Sequence, residues 1–174
     1  MTHPLVHFRK ASSEDAPTLV EFQIQMAWES EGVRLNPGTC SEGVNAVFRT
    51  PHAGTYHVAY CGTEILGCLL IIPEWSDWRN QWVWWIHSVY IKPAWRRKGI
   101  FSQFYAFIQD QAKAAGNVRG LRLYVDRTNT LAQRVYQKLG MTNHHYDLYE
   151  WIQPAEEDSK QIKPAHFPEK GNTP

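Results

Sequence analysis

Three consecutive cations followed by a glycine and a helical apolar pattern form the stretch best suited to chemistry. The run Trp84-Trp85-Ile86-His87-Ser88-Val89-Tyr90-Ile91-Lys92-Pro93-Ala94-Trp95-Arg96-Arg97-Lys98-Gly99-Ile100-Phe101 reads as a buried strand, a turn closed by Pro93, a basic loop and a helix start. The helix pattern continues from Gly99 to Ala115, with Ile100, Phe104, Phe107, Ile108 and Ala112 on one face. The first N–H groups of a helix have no internal acceptor and carry partial positive charge. A glycine there lets a ligand approach the backbone, and Arg96, Arg97 and Lys98 add full charges. This combination suits a pyrophosphate. A solvated basic loop leading into an amphipathic helix fits the same residues. Neither G-x-x-x-x-G-K-[ST] nor G-x-G-x-x-G is present, so the run is neither a nucleotide P-loop nor a dinucleotide fingerprint.

The elements that position this stretch follow from periodicity and punctuation. Val6 to Arg9 is expected as a first strand. Ser12-Ser13-Glu14-Asp15 opens a helix whose inner face holds Leu19, Phe22 and Met26 and which stops near Glu31-Gly32. Asn36-Pro37-Gly38 reads as a turn, and Ser41 to Arg49 as a second helix. Tyr56–Tyr60 and Thr63–Ile72 are expected to pair antiparallel across the turn at Gly62. Trp75–Asn80 reads as a loop, and Trp82–Ile91 as the fourth strand. After the long helix come a strand at Leu121–Val125, a helix at Asn129–Leu139 and a last strand at Asp147–Ile152. Helices alternate with strands only in the second half, so the sheet should be mixed.

The length of 174 residues suits about one domain, expected over 1–152, with a polar, loose tail over 153–174 that contains Pro154, Pro164, Pro168 and Pro174. A net charge of +1 advertises no polyanion partner, so nucleic acid is not expected. No apolar run reaches membrane-spanning length and the N-terminus lacks a signal pattern, so a cytoplasmic location without membrane association is expected. Cys40, Cys61 and Cys68 lack metal-ligand spacing and are odd in number, so neither a zinc site nor a disulfide framework is expected. Of the eight tryptophans, six fall from Trp75 to Trp95.

The order of elements, the loop Arg96-Arg97-Lys98-Gly99-Ile100-Phe101 and the run Asn129-Thr130-Leu131-Ala132-Gln133-Arg134-Val135-Tyr136-Gln137-Lys138-Leu139-Gly140 resemble the GNAT family of N-acetyltransferases. Arg96 and Gly99 match the family loop [QR]-x-x-G-x-[GA], while Phe101 stands where Gly or Ala is usual. Asn129, Ala132, Tyr136, Lys138 and Gly140 match N-x-x-A-x-x-x-Y-x-K-x-G. The resemblance covers Val6 to about Trp151. It implies an α/β fold with a mixed, mostly antiparallel sheet of six to seven strands, a splayed parallel pair in its middle, and about four flanking helices.

The resemblance further implies acetyl-CoA as co-substrate and no metal. The pyrophosphate would lie on the amides of Arg97, Lys98, Gly99, Ile100, Phe101 and Ser102, beside Arg96. The pantetheine arm would pair with Val89, Tyr90 and Ile91 like an added strand. Asn129 would touch that arm, and Tyr136 would protonate the leaving thiolate. A packed helical aromatic and a helix N-cap are the structural readings of Tyr136 and Asn129.

His87 stands where many members carry an acid that helps deprotonate the amine. A histidine can do this at neutral pH, and simple alternation puts it on one face with Trp85 and Val89. A hydrogen-bonded core histidine fits equally. Glu29 and Glu31 at the end of the first helix, with Asp77, Trp78 and Trp85, would suit a cationic acceptor through charge and cation–π contact. The activity implied is direct transfer of an acetyl group to a primary amine of a small molecule or peptide. A non-catalytic acyl-CoA sensor and an acyltransferase using another acyl group are the alternatives. A homodimer is compatible with either.

Overall fold

The computed structural model describes residues 5–50 and 52–153, so the expected tail beyond Gln153 lies outside the described residues. The order is β1 (His7–Lys10), a 3-10 turn (Ser13–Asp15), α1 (Ala16–Glu31), α2 (Pro37–Arg49), β2 (Thr55–Cys61), β3 (Glu64–Ser76), β4 (Gln81–Ile91), a second 3-10 turn (Pro93–Trp95), α3 (Ile100–Ala115), β5 (Val118–Arg122) and α4 (Thr130–Lys138). These elements all fall in the first of two compact units, Met1–Thr142. In the second, Asn143–Pro174, residues 143–153 form neither helix nor strand.

The sheet runs β1-β2-β3-β4-β5, antiparallel except for the parallel β4–β5 pair. Five strands form among the described residues, not the six to seven expected. The missing one includes Asp147–Ile152. Its alternating apolar residues have β-propensity, but a strand exists only where a ladder is made, and none forms there. The parallel pair consequently lies at one edge of the described sheet rather than in its middle.

Local chemistry explains the boundaries. Asp15 accepts both Arg9 guanidinium nitrogens, at 2.7 and 2.9 Å, and the Ser12 N–H at 2.8 Å. This fork joins β1 to the start of α1, and the paired guanidinium holds the Asp15 carboxyl below the usual range. Asn36 does not turn the chain away from a helix. Its side chain accepts the Thr39 N–H and Pro37 takes the first helical position, so α2 starts four residues before Ser41. The β3–β4 hairpin is longer than expected: Trp75 and Ser76 stay on the ladder, leaving a turn over 77–80.

Each face of the sheet carries a helical layer. Leu19 and Phe22 of α1 and Val44 of α2 pack with Tyr56, Val58, Cys68, Leu70 and Tyr90. On the other face Ile100, Phe104, Tyr105 and Ile108 of α3 pack with Ala59, Leu66, Leu69, Ile71 and Ile86. The four-residue spacing of Ile100, Phe104, Ile108 and Ala112 is therefore a buried stripe, closed at its end by Gly116 with φ +73°. No helix among the described residues is long and apolar enough to cross a membrane.

Two positions yield direct tests of this packing. A Cβ at Gly67 would run into the Tyr90 carbonyl oxygen and the Ile91 side chain. Backbone cannot yield as a side chain can, so Gly67→Ala is expected to lower stability by about 1–3 kcal/mol, read as a lower urea midpoint at unchanged slope. His57 is 8% exposed, and burial lowers its pKa to about 4. The unfolded chain takes up that proton near pH 6.5, and the folded protein refuses it until near 4. Stability is thus whole above pH 6.5 and falls by about 3 kcal/mol between pH 6.5 and 4. Urea titrations at pH 7 and 5 should show the loss, and His57→Gln should flatten it.

Candidate active site

Strand β4 meets β5 only from Trp82, opposite Val118, to Trp85, opposite Arg122. There β5 ends, while β4 continues to Ile91. Among the described residues no strand pairs with the β4 edge from Ile86 to Ile91 on the β5 side, as an added strand requires. On the β3 side the register slips. Leu70 faces His87 and Cys68 faces Tyr90, so β4 carries one residue more than β3 across this interval. Ser88 absorbs the excess with φ +52°, and its carbonyl oxygen lies 3.6 Å from the Cys68 thiol, which donates to it.

This bulge corrects the alternation read from sequence. Trp85 and His87 share a face, with rings 6.2 Å apart, but Val89 does not join them. Val89 packs with Ile86 against α3, whereas Tyr90 packs against α1. The extra residue reverses parity at Ser88, which a two-residue period has no means of showing.

The open edge leads directly to the mouth of α3. Arg97 and Gly99 both hold left-handed backbone, at φ +61° and +74°. No atom stands within 4 Å of where a Cβ on Gly99 would be. No backbone acceptor among the described residues takes the N–H groups of Lys98, Gly99, Ile100, Phe101 or Ser102. A cavity of about 180 Å³ opens here between Ile91, Arg97, Gly99, Phe101, Ser102 and Val135. Phe101 does not wall it off. The ring lies between α3 and α4, 5.5 Å from Tyr136 edge-on and 6.3 Å from Tyr105. Of the three basic residues, Arg96 and Arg97 line this cavity, and Lys98 lies 4.9 Å over the Trp95 ring. Arg96 turns towards α1, donating to the Ile91 carbonyl at 2.7 Å and to Glu29 at 2.5 Å.

Helix α4 brings Tyr136 to the same region. Its ring is half-buried against Phe101, and burial raises the phenol pKa, so the group is a protonated donor at neutral pH. Asn129 is the N-cap of α4: its side-chain oxygen accepts the Ala132 N–H at 3.1 Å. Its amide NH2 is left as a donor for a ligand.

On the α1 face, His87 Nδ1 lies 3.2 Å from the Tyr124 hydroxyl. Burial lowers the His87 pKa, so the ring is neutral at pH 7. Trp85 flanks both rings, its indole N–H bonded to Glu74, and Arg122 binds the same carboxylate at 3.0 Å. Glu74, Arg122 and Tyr124 escaped the sequence reading. Glu74 sits on the unexpected extension of β3, and strand parity from Ile72 would have set it beside Trp85.

The expected acceptor acids do not gather at His87. Glu29 is held by Arg96 and by the Tyr90 hydroxyl, which donates to it at 3.3 Å and to Gln25 at 2.6 Å. Glu31 is exposed at the end of α1. Asp77 accepts the N–H of its neighbour Trp78 in the hairpin turn, and Trp78 is 88% exposed. Only Trp85 of the five joins the histidine.

Known proteins agree with this geometry. The Acetyltransferase (GNAT) family profile matches residues 17–141. A possible acetyltransferase from Clostridium difficile 630 shares 34% identity and a TM-score of 0.80, over 87% of this chain and 99% of that one. Two more distant structures show the same fold. One is a predicted acetyltransferase with acetyl-CoA from Clostridium acetobutylicum (20% identity, TM-score 0.66, 87% and 96% covered). The other is an aminoglycoside acetyltransferase from an uncultured soil metagenomic sample in complex with sisomicin (13% identity, TM-score 0.69, 86% and 97% covered). No curated protein sequence matches this chain. With residues 17–141 matched by the family profile and 87% of the sequence aligned with a 34% identical relative, the chain belongs to the GNAT acetyltransferase family.

Proposed function

We propose that this acetyltransferase uses acetyl-CoA to acetylate a primary amine of a small molecule or peptide by direct transfer. The observation that carries the reading is the continuity of the open β4 edge, Ile86 to Ile91, with the unsatisfied amides at the mouth of α3. One extended ligand with a diphosphate at its end suits both. The α3 amides and Arg97 hold the diphosphate, Val89, Tyr90 and Ile91 pair with the pantetheine arm, and the Asn129 amide donates to it. Arg96 lines the same cavity and also fixes the loop to α1.

The residues divide the chemistry. His87 takes a proton from the bound ammonium through its imidazole lone pair. The freed amine nitrogen forms a bond to the thioester carbonyl carbon as the carbonyl π pair moves to oxygen. Ser88 and Val89 stand outside the β3 register at the bulge, and the Val89 N–H is the donor best suited to that oxygen. The C–S bond then breaks, and Tyr136 gives its phenolic proton to the thiolate. Trp85 and Tyr124 supply aromatic walls to the acceptor side, with Glu29, Glu31, Asp77 and Trp78 as its outer candidates.

Free thiol released from acetyl-CoA over a panel of polyamines, amino acids, aminoglycosides and peptides tests the reading. A protein that binds coenzyme A but acetylates nothing would be a sensor instead. Tyr136→Phe is expected to lower kcat by roughly 100-fold with coenzyme A affinity unchanged. Gly99→Val, forced into left-handed backbone at the diphosphate site, is expected to weaken coenzyme A binding by roughly tenfold in calorimetry. Because burial lowers the His87 pKa from 6.5, the acid limb of kcat/KM should have its midpoint below pH 6.5. His87→Ala should abolish that acid limb.

A further inference from the structure

Tyr124 belongs to neither sequence motif, yet among the described residues its hydroxyl is the polar group that meets the His87 ring. It lies just beyond β5, where that strand has parted from β4. The two rings meet edge to face, with centroids 5.1 Å apart at 78°. Trp85 stands 6.2 Å from His87 and 6.4 Å from Tyr124. Its indole is fixed by Glu74, and the Arg122 guanidinium lies 5.7 Å over its ring. The arrangement is braced from β3, β4 and β5 together.

Charge does not decide how this histidine holds its hydrogen. From β3 and β5, Glu74 and Arg122 approach as a pair. Towards α1, Glu29 is paired with Arg96 beside Tyr90. Each carboxylate is matched by a guanidinium, leaving the Tyr124 hydroxyl as the polar neighbour that selects between tautomers. A phenol that donates to Nδ1 puts the hydrogen on Nε2 and loses its bond when the ring is protonated. A phenol that accepts from Nδ1–H keeps its bond in both states and leaves the Nε2 lone pair bare. Tyr124 is 56% exposed, so its own O–H can turn to water while the oxygen accepts.

We propose that Tyr124 is a positioning residue that accepts a hydrogen bond from His87 Nδ1–H and thereby presents Nε2 to the acceptor amine. This rests on His87 being the base. The specificity of the acceptor side follows in part: the amine must reach Nε2 across a floor of Trp85 and Tyr124 rings, with no unpaired carboxylate among the described contacts of that cluster.

Long-range 15N–1H correlation spectra of the His87 ring above its pKa read the tautomer without substrate. The expected result for the native protein is hydrogen on Nδ1, and Tyr124→Phe should shift the ring towards Nε2–H. Because the lost acceptor stabilises imidazolium, the variant should also move the acid limb of kcat/KM to lower pH. Its kcat should drop roughly tenfold with KM for acetyl-CoA unchanged. A native ring carrying its hydrogen on Nε2 overturns the proposal, as does a Tyr124→Phe protein with native tautomer and native pH profile. If His87→Ala keeps full rate while the Nδ1–H form and its dependence on Tyr124 hold, the base assignment fails and the positioning contact stands.

Discussion

Strand β4 has to serve two cores with a backbone that is one residue too long for its partner. Between the pairs Leu70–His87 and Cys68–Tyr90, the surplus collects at Ser88 in left-handed backbone. A non-glycine residue there costs of order 1 kcal/mol or more and persists only where neighbours fix it. Tyr90 locked against Phe22 on one side, at 4.9 Å, and Ile86 and Val89 locked against α3 on the other are those neighbours. The slip places Val89 on the α3 side while His87 stays on the α1 side. A regular strand would put both residues on one face.

The second constraint is that β5 stops at Arg122. Had it followed β4 to Ile91, the ladder would have consumed the edge that a pantetheine arm needs. Here the gap is bordered by Tyr124 beside His87 and, on the α3 side, by Phe101 and Tyr136. The phenylalanine that departs from the family loop is therefore accommodated as packing between α3 and α4. The amides of the loop keep no backbone acceptor among the described residues beside it.

Much of this was legible in the residues. The spacing of Ile100, Phe104 and Ile108 identified the buried stripe of α3, and the alternation of helix and strand after Ile91 identified the parallel pair. The glycine-bearing basic loop fell at the helix mouth as its composition required. What escaped was long-range. A bulge is fixed by the register of two strands, so the position of Val89 was misread from one. Asn36-Pro37-Gly38 carries turn residues that are equally good helix starters, and the packing of α2 decided between them. The acids chosen for the acceptor were chosen by type. Their availability depended on partners far away in sequence, and Arg96 took Glu29 from across the sheet. The apolar alternation of Asp147–Ile152 found no ladder among the described residues.

The bond between Arg96 and Glu29 ties the loop before α3 to the end of α1. An exposed pair of this kind is worth at most about 1 kcal/mol. The stiffness of the loop therefore hangs on a contact that salt can reach. Raised ionic strength would loosen the mouth of α3 well before it touched either apolar layer.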